Sequence, residues 1–160
     1  ILKTFAHAGY NVWACARVRD VEFESRISKI ADATGTTIQP VYFDLSSEKQ
    51  IQEGMKSILK EKKNIDILIN NAGIPFGGSF AMTPISKLKE VYEVNVFAQV
   101  QIMQLVARQM MKQKSGCIIN MCSVGGIETS PGYLAYGSSK AALIWITKSV
   151  SKELGDMVFV

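Results

Sequence analysis

Three side chains late in the sequence have the types and spacing of a proton-transfer centre. Ser123 is followed thirteen residues later by Tyr136, and Lys140 comes four residues after that, in Tyr136-Gly137-Ser138-Ser139-Lys140. On a helix, a spacing of four puts tyrosine and lysine on one face. A phenol has a pKa of about 10, too high to exchange protons readily near neutrality. An ammonium about 4 Å away is worth roughly 4 kcal/mol at an effective dielectric of 20, against about 1 in open water. Three pKa units also amount to about 4 kcal/mol. Lys140 can therefore make Tyr136 a working acid or base where the pair is partly shielded from water. Such a proton transfer belongs beside hydride transfer at a carbonyl, whose oxygen must gain a proton. Ser123 would supply a hydrogen bond to that oxygen as charge develops on it. In a chain with five tyrosines the bare pair also arises by chance, so its surroundings decide its weight.

The elements that must position these groups alternate strand and helix, with no repeat and no low-complexity linker. Residues 11–16 form a short apolar run after Gly9 and read as a buried strand. From Val21 to Thr34 the apolar positions Val21, Phe23, Ile27, Ile30 and Ala31 recur at helical spacing, and Gly35 ends the helix. Residues 38–43 are a second strand, placed at an edge by Pro40, which cannot donate to a ladder. Ser46 or Ser47 caps a helix to about residue 63, with Ile51, Met55, Ile58 and Leu59 inward. A third strand spans 65–70, a long helix 85–113, a fourth strand 117–122 and a last helix 135–154. The rear half of the 85–113 helix is apolar on more than one side, which suggests a subunit contact. This order predicts α/β class: a doubly wound parallel sheet, Rossmann-like, in three α/β/α layers. Ligands then sit where the strands finish.

Each strand end offers a second feature with two readings. Asn70-Asn71-Ala72-Gly73 follows the third strand; it is either a simple turn or small residues and an amide against which a nucleotide lies. Asp44-Leu45 follows the second strand, where the carboxylate either starts a helix or accepts from an adenine amino group. Arg17 follows the first strand. It is either a solvated surface residue or the holder of a ribose 2′-phosphate, and Ala16 before it offers no acid for a free 2′-hydroxyl. Asn95 lies in an otherwise apolar helical stretch, either as a satisfied core amide or as an organiser of a proton path.

The totals narrow the classes. With 48% hydrophobic and 20% charged residues the composition is that of an ordinary globular domain, and 160 residues are one domain by length. A net charge of +4 without a basic, aromatic-laced patch argues against nucleic acid. The longest uncharged helical run, 94–107, is too short and too amide-rich to span a membrane, and no signal peptide is apparent. Cys15, Cys117 and Cys122 are expected to be small core residues in a reducing compartment, the cytoplasm, although Cys122 adjoins Ser123 and could be a reactive thiol. The single histidine, His7, and the cysteine spacing suit no metal site.

Together these residues resemble the short-chain dehydrogenase/reductase family in its single-domain form, over all 160 residues. Asn70-Asn71-Ala72-Gly73 is similar to the family's turn after its fourth strand, and Asn95, Ser123, Tyr136 and Lys140 match its catalytic tetrad. The resemblance implies a tyrosine acid/base and a lysine that binds the nicotinamide ribose and lowers the tyrosine pKa. It also implies a serine that orients the carbonyl and an asparagine that supports a proton relay. It marks Arg17 for an NADP(H) preference over NAD(H), and Asp44-Leu45 with Asn71, Ala72 and Gly73 as cofactor contacts. The implied assembly is a homodimer or homotetramer through the 85–113 helix and its neighbour.

The sequence departs from the family at both ends. The family's Gly-rich turn, which cradles a pyrophosphate at a helix N-terminus, does not precede Ile1, and Gly73 with Gly77 and Gly78 is in the wrong place to replace it. Residues 1–6 read as the rear of the first helix, and Val158-Phe159-Val160 as the start of the sixth family strand. The expectation is a domain incomplete at both ends, with the strands near Val12 and Ile67 lacking the neighbour that should pair with both. The leading function is an NADP(H)-dependent oxidoreductase acting on a ketone or secondary alcohol. The alternatives are a non-catalytic nucleotide-binding regulator on the same fold, or a piece inactive as it stands. Loop 124–132 suits acyl, sugar or steroid ketones equally.

Overall fold

Gly9, at a φ of 86°, turns the chain from helix α1 (Leu2–His7) into strand β1 (Val12–Ala16). The computed structural model describes all 160 residues, which form two units, Ile1–Glu61 and Lys62–Val160.

In the first unit, helix α2 (Val21–Thr34) starts where the Asp20 carboxylate accepts from Glu22 N and ends at Gly35, left-handed at φ 66°. Strand β2 (Ile38–Tyr42) pairs with β1 in parallel, Val12 facing Ile38 and Ala16 facing Tyr42. Pro40 sits opposite Ala14 in a strand with one partner only, the edge position its missing N–H requires. Helix α3 (Glu48–Lys60) starts from Ser47, whose hydroxyl accepts from Gln50 N, and buries Ile51, Met55 and Ile58. Gly54 lets α3 pack directly on the Phe43 ring, which occupies the place a Cβ would take.

In the second unit, strand β3 (Ile67–Asn70) pairs in parallel with β4 (Cys117–Asn120), Asn70 opposite Asn120. Between them run helix α4 (Ile85–Tyr92), a π-helical segment at Glu93–Phe97 and helix α5 (Ala98–Gln113). Helix α6 (Leu134–Leu154) follows β4. Near the end of the chain, Ile118 N donates to Phe159 O at 2.7 Å and Phe159 N to Gly116 O at 3.0 Å, so the chain comes alongside β4 in parallel. β1 bonds only to β2 and β3 only to β4, which leaves their other edges without a strand partner.

Several boundaries differ from the sequence reading for local reasons. Strand β3 begins at Ile67 because the Gln113 amide takes the backbone of Ile65, accepting from its N–H at 3.0 Å and donating to its carbonyl at 3.1 Å. Helix α3 stops at Lys60, and Lys62 is left-handed at φ 54°. The 85–113 helix is not uniform, since five residues around Asn95 are π-helical. In α2 only Ile27 is buried, and Val21 is 78% exposed. The cysteines are not core residues: Cys15 alternates outward from buried Ala14 in the pleat, Cys122 lies past the end of β4, and only Cys117 is half-buried.

Candidate active site

Asn95 is 0% exposed, and its position follows from the π segment. One extra residue per turn shifts the side-chain phase and frees a carbonyl. The Asn95 amide uses the shift to grip one residue of the segment after β3. Its Oδ1 accepts from Ile74 N at 2.9 Å, and its Nδ2 donates to Ile74 O at 3.0 Å and to Ser139 Oγ at 3.1 Å. Gln99, four residues on and equally buried, donates from Nε2 to Ala72 O at 2.9 Å and to the Val94 carbonyl at 3.3 Å. Two amides from one helix thus fix the backbone on either side of Gly73.

Gly73 sits close against two side chains. A Cβ there would lie 3.0 Å from Asn95 Oδ1 and 3.5 Å from Lys140 Nζ. The Asn71-Ala72-Gly73 turn is therefore directly beside two of the proposed catalytic groups, and its three residues are exposed. Asn70 has a different task. It is buried and donates from Nδ2 to Asn120 Oδ1 at 2.8 Å, and Asn120 donates in turn to Thr147 Oγ1 on α6 at 2.9 Å.

Lys140 and Tyr136 share a face of α6, one turn apart. Lys140 is buried, with its ammonium 2.7 Å from the Met121 carbonyl just past β4 and 5.9 Å from the centroid of the Tyr136 ring. Tyr136 is half-buried and its hydroxyl bonds to no protein group.

Ser123 reaches this helix through two glycine contacts. A Cβ on Gly126 would lie 2.8 Å from Lys140 C and Ala141 N, and one on Gly137 would lie 2.6 Å from Gly125 O. The short 3₁₀ turn Val124–Gly126 thus lies backbone to backbone on α6. Ser123 Oγ accepts from Gly125 N at 3.2 Å, which leaves its own O–H free to donate. Cys122 beside it is not activated, since burial around the sulfur pushes its thiol up and outweighs the opposing effects of Lys140 and Thr147.

All these residues belong to the second unit. Arg17, Asp44 and Leu45 belong to the first. Arg17 is exposed and makes no hydrogen bond or salt bridge, though its charge acts on Asp44, whereas Arg19 is committed to Glu24, at 2.9 and 3.2 Å. The Asp44 carboxylate accepts from both Ser46 N and Ser46 Oγ at 2.8 Å. Those bonds hold its pKa below the ordinary aspartate value.

The family model described as short chain dehydrogenase matches residues 1–160. The chain belongs to the short-chain dehydrogenase family. A 3-oxoacyl-(acyl-carrier-protein) reductase of Chlamydia muridarum is 30% identical over 158 residues, 98% of this chain and 62% of that protein. The bulky-bulky ketone specific alcohol dehydrogenase of Comamonas testosteroni is similar at a TM-score of 0.90 and 29% identity, over 99% of this chain and 62% of that one. A short-chain dehydrogenase of Sphingobium yanoikuyae, solved in complex with NADPH, matches at 0.89 and 25%, over 99% and 62%. The chain thus spans about three-fifths of the length of these dehydrogenases. Their Rossmann fold, with parallel strands and helices on both sides, is the one the alternation of elements predicted.

Sequence reasoning passed over Gln99, Ser139, Asn120 and Thr147, which bond to Ala72, Asn95 and Asn70 and to one another. Gln99 was visible as a polar residue four positions after Asn95, on the same face of an apolar helix. Nothing local marked Asn120 and Thr147, because their partnership is tertiary.

Proposed function

We propose that the protein is an NADP(H)-dependent oxidoreductase that interconverts a ketone and a secondary alcohol, with Tyr136 as general acid and base. One observation carries this reading. The hydroxyl of Tyr136, one turn of α6 before the Lys140 ammonium, keeps a proton uncommitted to the protein, and so does that of Ser123, whose 3₁₀ turn packs on the same helix. A carbonyl oxygen needs two such donors as it becomes an alkoxide.

Residues of each unit suit one part of a dinucleotide. In the second unit Gly73 offers bare backbone and Lys140 an ammonium for ribose hydroxyls; in the first, Arg17 offers an exposed guanidinium suited to a 2′-phosphate. Asp44 and Leu45 would meet the adenine; the second Asp44 oxygen carries no protein hydrogen bond. NAD(H) fits less well, because Ala16 supplies no acid for a free 2′-hydroxyl. When bound, the nicotinamide supplies or takes the hydride. Ser123 orients the carbonyl, Tyr136 gives up its proton to the oxygen, and Lys140 stabilises the negative charge left on the phenol. Asn95 holds Ile74 and Ser139, and so keeps the turn and α6 in register.

The family match across both units supports reading residues 1–160 as one nucleotide-binding domain. Phe97, 56% exposed on the long helix, and Trp145, 74% exposed on α6, support a homo-oligomer through these helices. No helix is long and apolar enough to cross a membrane, and the three cysteines are free, which supports a cytoplasmic setting.

The test is absorbance at 340 nm with the complete protein, NADPH and a panel of ketones. A fall with at least one ketone is expected. A steady signal across the panel would contradict the reading and favour a nucleotide-binding regulator.

A further inference from the structure

Tyr133 neighbours both of the groups that must reach one substrate oxygen. It stands just before the first residue of α6, and its ring meets that of Tyr136 edge-on, centroids 6.4 Å apart at 69°. A Cβ built on Gly125 would lie 3.4 Å from the Tyr133 ring and 3.6 Å from Ser123 Oγ. The ring is therefore close to both the serine hydroxyl and the Tyr136 ring.

The backbone that carries the ring is held in place, and the ring is left bare. Tyr133 N donates to Ser130 O at 3.2 Å, Gly137 N donates to Tyr133 O at 2.7 Å, and neighbouring Gly132 accepts from Gly78 N at 3.0 Å. Even so, 49% of Tyr133 is exposed and its hydroxyl bonds to no protein group. A fixed aromatic surface open to solvent beside reacting groups is a ready contact for a flat apolar group. The same stretch exposes Val124 and Ile127 and carries one charge, that of Glu128. Such a wall gives an aryl ring a stacking face.

We propose that Tyr133 is a specificity-determining residue whose ring flanks the bound carbonyl and favours ketones bearing an aryl group on the carbonyl carbon. This inference rests on the oxidoreductase reading above and narrows its substrate class.

Acetophenone and 2-butanone serve as probes, with the full-length enzyme, NADPH and the variants Tyr133→Phe and Tyr133→Ala. The quantity read is the ratio of kcat/KM for acetophenone to that for 2-butanone. In Tyr133→Ala the ratio falls by about five- to tenfold, the size of one aromatic contact. In Tyr133→Phe, which keeps the ring, it stays within about twofold of wild type. A ratio that holds in Tyr133→Ala, whether both ketones suffer alike or neither does, overturns the proposal, because a ring needed only for packing on Tyr136 serves both equally. A wild type inert toward all ketones overturns the oxidoreductase reading and this inference with it. Wild-type activity with a flat ratio overturns the role of Tyr133 alone.

Discussion

Asn95 holds both backbone groups of Ile74, accepting from its N–H at 2.9 Å and donating to its carbonyl at 3.0 Å. Leucine at that position would lack both the donor and the acceptor. Each buried backbone group left unpaired costs roughly 1–3 kcal/mol. Asn95→Leu is therefore expected to lower stability by about 2–5 kcal/mol in urea denaturation. Equal stability of the leucine variant and wild type would show that this clamp does not hold the turn.

The contact between the Val124–Gly126 turn and α6 yields a prediction of opposite sign to helix propensity. Alanine in place of glycine inside a helix ordinarily stabilises by about 1 kcal/mol. At Gly137 the added Cβ meets the Gly125 carbonyl at 2.6 Å, and backbone cannot step aside cheaply. Overpacking of this kind costs about 1–3 kcal/mol, so Gly137→Ala should melt at a lower temperature than wild type. A higher melting temperature would mean that the two backbones lie further apart.

How much of this was legible in the sequence depended on range. Helix Val21–Thr34 was readable to the residue because its stop signal, Gly35, is local and adopts the left-handed conformation only glycine takes freely. Tyr136 and Lys140 were readable because a spacing of four fixes a shared helix face. The π segment was not, since one inserted residue in an apolar run leaves no periodic signature, and it is this segment that aims Asn95 and Gln99. The role of Asn70 was hidden as well. Its partner Asn120 is fifty residues away, and only strand pairing brings the two amides together.

Asp44 gives a pH prediction with a definite sign. Its carboxylate accepts two hydrogen bonds from Ser46, and its folded pKa lies below the ordinary value of 3.8. Protons thus bind the unfolded chain more readily, and the stabilisation is complete above that ordinary value. It is lost as pH falls through the lower folded pKa. Carboxyl NMR of the folded protein should show Asp44 titrating below a free aspartate. In Asp44→Asn this part of the acid sensitivity should vanish. A normal Asp44 titration would remove the turn from the account.

Arg17 tests the cofactor assignment. A hydrogen bond to a charged group is worth about 1.5–3 kcal/mol, so Arg17→Ala should raise the KM for NADPH by about tenfold or more. NADH, without the 2′-phosphate, should be affected by less than about twofold. Equal effects on both cofactors would reassign Arg17 to the solvated surface.

The most direct measurement is the turnover number of Tyr136→Phe in the complete enzyme at saturating NADPH and ketone, alongside its melting curve. Removing a general acid costs about a hundred- to ten-thousandfold in rate. The expected result is a loss of that size with a melting temperature close to wild type. A phenylalanine variant that turns over within about threefold of wild type would show that the proton reaches the carbonyl oxygen from another group.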